Sequence, residues 1–138
     1  MKSDSPDART FTLAIRRSAA AVYAFVSNPQ NLPLWATAFC QSVRRLDNGW
    51  MIETPMGEMK LRFAPQNAFG ILDHYVSPAP ETEIYVPMRV IAQGHTSLVL
   101  FTLMRQAGMS EAAFEEDAAV VERDLNHLKK LLEQQAPE

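Results

Sequence analysis

His74 is the residue of this chain best suited to handle a proton beside an apolar molecule, because imidazole titrates near neutrality. It sits in the run FGILDHYV, where strand alternation puts it on one side with Leu72 and sets Asp73 on the other. The same residue also reads as a buried histidine hydrogen-bonded to backbone or to Tyr23. No second acid, base or nucleophile is forced onto its face by spacing, so no catalytic dyad can be drawn. Asp73, Arg62 and Arg89 would make a charged cluster, yet their parity places them opposite His74. A cross-strand ion-pair group on the outer face of a sheet, worth about 0 to 1 kcal/mol per exposed pair, is the expectation for them.

Other candidates carry less. Glu116, Asp117 and Glu122 with His127 or His74 would offer metal donors, but no His-x3-His or paired carboxylate spacing meets on one helix face, so no metal and no cofactor are expected. Cys40 is the only cysteine and reads as structural, without an intramolecular disulfide. The chain has no Gly-rich phosphate loop, no Gly-x-Ser-x-Gly elbow and no Cys-x-x-Cys. A net charge of −3 gives no general attraction to nucleic acid, and no apolar run reaches the length of a membrane span. Together with an N-terminus lacking an apolar signal core, these features lead us to expect a cytoplasmic protein.

The elements that must position these residues follow from periodicity. With 138 residues, 47% of them apolar, the chain suits one domain over residues 9–135 behind a disordered tail at residues 1–8. The longest pattern is a helix over residues 110–135, in which Phe114, Ala118, Val121, Leu125, Leu128 and Leu132 share one face. Ser110 caps it, and at 1.5 Å per residue it spans roughly 36 Å. Ahead of it come a strand at residues 9–15, short helices at residues 19–26 and 31–35, and strands at residues 41–46, 50–54 and 59–63. Further strands are expected at residues 69–76, 83–92 and 97–105, with a bulge or interruption at Pro87, which has no amide proton for the ladder. The result is an α+β domain in which a curved seven-stranded antiparallel sheet wraps a long C-terminal helix.

This order, with the runs AAAVYAFVSNPQNLPLWATAF, FGILDHYV, VPMRVI and FTLMRQAGMSEAAFEEDAAVVERDLNHLKKLLE, resembles the START-related, polyketide cyclase/dehydratase-like superfamily, whose fold is the helix grip also seen in birch-pollen-allergen proteins. The resemblance covers residues 11–133 and says little about substrate. It implies a groove between the concave sheet face and the long helix, with the two short helices closing one end. Members include polyketide cyclases and dehydratases, sterol and lipid carriers, and hormone binders.

Alternation then suggests Thr54, Phe63, His74, Val86, Met88 and Phe101 as the strand part of the lining, and the resemblance implies that Trp35 and Phe39 from the second short helix region and Ala118 and Val121 from the long helix complete it. His74 and Thr54 would be the polar groups among them, and His74 the only candidate catalyst. The expected partner is a small apolar molecule, taken up by a monomer or a homodimer paired through the edge strand at residues 41–46. Alternatives are a cyclase or dehydratase using the same groove, and an interaction module whose groove is filled by its own side chains.

Overall fold

The computed structural model describes residues 8–135, so the expected tail lies outside the described residues apart from Ala8, which opens the first strand. In chain order the elements are β1 (Ala8–Ile15), α1 (Ala19–Val26), a 3-10 turn at Pro29–Asn31, α2 (Leu32–Trp35), β2 (Ser42–Leu46), β3 (Gly49–Thr54), β4 (Gly57–Phe63), β5 (His74–Ala79), β6 (Thr82–Val86), β7 (Met88–Gln93), β8 (Thr96–Met104) and α3 (Glu111–Gln134). Ser18 and Ser110 accept amide protons from Ala21 and Ala113, capping α1 and α3. All pairings are antiparallel, in the orders β2-β3-β4-β5-β6 and β1-β8-β7.

Pro87 is where one sheet becomes two. The expected single strand over residues 83–92 is split there into β6 and β7, which gives eight strands where seven were expected. The two sheets stay joined by short links: the Thr102 amide donates to the Pro87 carbonyl at 2.9 Å, the Leu72 amide to the Met88 carbonyl at 2.8 Å, and Ile71 bridges Arg89. A kinked strand of this kind lets the sheet curl round a helix. The segment expected as strand from residue 69 begins regular pairing only at His74. Before that, Gly70 has φ +73° and passes so close to β7 that a Cβ would stand 2.2 Å from the Val90 carbonyl oxygen. Only glycine fits there.

The core lies between the curled sheet and α3. Leu125, Leu128 and Leu132 pack with Ile15, Val22, Val26 and Val99, all nearly or fully buried. Glu133 ties this end together: its carboxylate accepts the Arg16 amide at 2.8 Å and the Lys129 ammonium at 2.8 Å, linking the β1–α1 turn to the last turns of α3.

Candidate ligand-binding interior

Cross-strand register brings the central candidates together. Phe63 on β4 lies opposite His74 on β5, His74 opposite Val86 on β6, and Met88 on β7 opposite Phe101 on β8. All five point to the inner face, as alternation requires. Phe63 and His74 stack with ring centroids 5.0 Å apart, and the Phe101 ring lies tilted to the imidazole at 6.0 Å. His74 thus meets two phenylalanine rings near the point where the sheet breaks.

The imidazole has one committed nitrogen. Its Nδ1 lies 3.0 Å from the Leu72 carbonyl oxygen, and since a carbonyl only accepts, this geometry assigns the proton to Nδ1. Nε2 is left with a lone pair and, among the described residues, no hydrogen-bond partner. Burial holds the pKa of His74 below the ordinary histidine value, overcoming the opposite pull of the Leu72 carbonyl and of Asp73. At neutral pH the ring is therefore an uncharged acceptor in apolar surroundings.

Exposure along the interior is uneven. Val99, Leu128 and Ile15 are wholly covered, whereas Phe101, Leu103, Val121, Phe63 and His74 are only half-buried although they point inward. Phe39 shares that partial exposure, while Trp35, Thr54, Val86, Met88 and Ala118 are buried. Asp117 is half-buried on the same half of α3, where burial and then the neighbouring Glu116 charge raise its pKa. The indole N–H of Trp35 is a buried donor without a partner.

Three expected placements need correction. The Thr54 side chain does point inward, but its hydroxyl donates to the Gly57 carbonyl at 2.8 Å and accepts the Met56 amide at 3.1 Å, so the β3–β4 turn uses both functions. Asp73 is not part of an exposed ion-pair cluster: it is buried, accepts the Met88 amide at 2.9 Å and the Tyr85 hydroxyl at 2.7 Å, and keeps Arg89 only at 3.8 Å. Arg62 pairs with Glu83 instead, at 2.8 Å, while its guanidinium lies over Tyr75.

One residue that spacing did not single out organises the closed end of the lining. Asp124 on α3 accepts the amides of Ala38 and Phe39 at 2.9 and 3.1 Å, pinning the loop after α2, and burial raises its pKa against the pull of those two amides. His127, one turn further on, meets the Trp35 carbonyl at 3.2 Å. Burial pushes the Cys40 thiol up to about 11, which keeps it protonated and unreactive.

Two surface hollows lie elsewhere. One of about 510 Å³ is bordered by Ala19, Tyr23, Asn67, Phe69 and Ile91, and one of about 160 Å³ by Trp50, Arg62, Tyr75 and Glu83. Neither is lined by a residue of the expected set. No helix among the described residues is long and apolar enough to cross a membrane.

No protein-family model matches the sequence. Nor does any curated protein match it. Solved structures do match in three dimensions. XoxI from Bacillus cereus superposes with a TM-score of 0.75 at 18% identity, over 91% of this chain and 95% of the other. A START superfamily protein from Mycobacterium smegmatis gives 0.70 at 11% identity, over 92% and 97%. The Zhui aromatase/cyclase from Streptomyces sp. R1128 gives 0.71 at 16% identity, over 92% and 93%. With its antiparallel sheet curled round α3, this chain has the helix-grip fold, which it shares with the START superfamily protein and the aromatase/cyclase above.

Proposed function

We propose that the protein binds a small, largely apolar organic molecule between the inner face of the sheet and the first half of α3. The observation that carries this reading is the half-buried Phe63, His74 and Phe101 group, which points into the interior and leaves Nε2 unpartnered. Apolar surface buried there would contribute about 25 cal/mol per Å², with His74 orienting the ligand. Trp35, Phe39, Val86, Met88, Ala118 and Val121 supply the rest of the wall. A cyclase or dehydratase reading uses the same place, with Nε2 as proton acceptor, and is favoured by that lone pair alone.

The test is native mass spectrometry of protein purified from its own host, followed by extraction of bound material and a thermal-shift screen with aromatic polyketides, sterols and fatty acids. A stoichiometric small molecule, or a clear stabilisation by one class, is the expected result, and Phe101→Trp should weaken it by occupying the space. An empty protein that no class stabilises would overturn the reading.

A further inference from the structure

We propose that the outer hollow between α1, the loop at residues 67–70 and the end of β7 is a second binding site, which takes a neutral ring compound through a carbonyl oxygen that accepts the proton of the Tyr23 hydroxyl. The inference stands apart from the binding reading above, because no residue assigned to the interior borders this space. Its volume of about 510 Å³ falls within the roughly 300 to 1,000 Å³ of small-molecule sites. Phe69, 79% exposed, and Ile91, 48% exposed, are large apolar side chains left uncovered at its border, where Ala19 and Ala20 of α1 leave room for a ring.

The loop that carries Phe69 is braced. The Asn67 carboxamide donates from Nδ2 to the carbonyls of Pro65 and Ile71, both at 3.0 Å, and its Oδ1 accepts the amides of Phe69 and Ile71 at 2.9 and 3.1 Å. The Val90 amide donates to the Gly70 carbonyl at 2.9 Å and fastens the loop to β7. A ligand therefore meets walls that are already ordered, and binding does not have to immobilise them. Tyr23 and Asn67 are the polar side chains of the lining, and Asn67 has both ends engaged. The Tyr23 oxygen accepts the Asn67 amide at 3.0 Å, but its own proton has no acceptor among the described residues. A free O–H donor calls for an acceptor on the ligand. No charged side chain borders the hollow, so a carboxylate would lose water there without a counter-charge, whereas a neutral carbonyl meets the donor at little cost.

The experiment is a methyl-resolved NMR titration of the full chain with 1-tetralone and with tetralin, which has the same two rings without the carbonyl. Read at the methyls of Ala19 and Ile91, the native protein is expected to bind 1-tetralone about three- to tenfold more tightly than tetralin. Tyr23→Phe should bring the two compounds to equal affinity. Ala20→Leu, at an exposed position of α1, should weaken both by filling the space without touching the core. The comparison in the native protein does not depend on either variant folding. Equal affinity of the native protein for the two compounds, no shift at Ala19 and Ile91, or an undiminished preference in folded Tyr23→Phe would overturn the proposal. Shifts at Leu103 and Val121 report on the interior separately, so either site can fail alone.

Discussion

The carboxylate of Asp73 accepts the backbone amide of Met88 at 2.9 Å, immediately after the proline that splits the sheet. A side chain here does the work of the missing strand neighbour, because Pro87 has no amide to offer and the ladder cannot continue. The Tyr85 hydroxyl, on the other side of Pro87, donates to the same carboxylate at 2.7 Å. Asp73 therefore bridges the last turn of one sheet and the first residue of the next.

Replacing it should be costly. Asp73→Ala leaves the buried Met88 amide unmet, and a loss of about 1 to 3 kcal/mol in urea unfolding is expected. Tyr85→Phe removes a bond from an exposed side chain while Asp73 keeps the Met88 amide, and should cost less. In a double-mutant cycle the two changes should couple, and additive effects would contradict a shared carboxylate.

Positions on α3 differ in burial, which predicts unequal responses to truncation. Leu128, fully covered, should cost about 2 to 5 kcal/mol as Leu128→Ala. Val121 is only half-buried, so Val121→Ala should cost clearly less. Comparable losses would mean that both halves of the helix are packed alike.

Glu133 gives the fold an acid-sensitive clasp. The hydrogen bond from Lys129, assisted by Arg16, holds its carboxyl at about 2, down from 4.5. Between those values the unfolded chain takes up a proton that the folded chain does not, so the stabilisation is complete above pH 4.5 and lost as pH falls towards 2. The stability gap between the native protein and Glu133→Gln should close over that window in urea titrations. A gap independent of pH would show that the charge plays no part.

His74 should titrate below 6.5, the ordinary value, in a histidine-resolved NMR titration. Its folded pKa is depressed, so the stability tied to the neutral ring is full above 6.5 and declines as pH falls and the unfolded chain protonates first. A midpoint at or above 6.5 would contradict burial as the dominant influence.

Much of this architecture was legible from residue pattern. Period-3.6 spacing located α3 with its Ser110 cap, period-2 spacing located the inner face at Ile52, Phe63, His74 and Phe101, and Pro87 announced the interruption. What alternation conveys is direction, and direction alone does not say what a polar group bonds. Thr54 pointed inward as expected, but its hydroxyl was taken by the turn that closes three residues on at Gly57. Asp73 had the outward parity of an exposed residue and was drawn into the break by an amide fifteen positions away. Asp124 borders the apolar stripe beside Leu125, which is a faint signal for a buried carboxylate, and its partners lie 85 and 86 residues earlier in the chain. Such long-range pairings are set by how the elements meet.

The most direct test of the central claim is a methyl-resolved NMR titration of the full chain with the compound recovered from the host-purified protein, or with the one that stabilises it most in the thermal-shift screen. Binding in the interior predicts shifts at the methyls of Leu103 and Val121, both half-buried, together with the His74 ring. Shifts confined to Ile91 and Ala19 beside the outer hollow would contradict it.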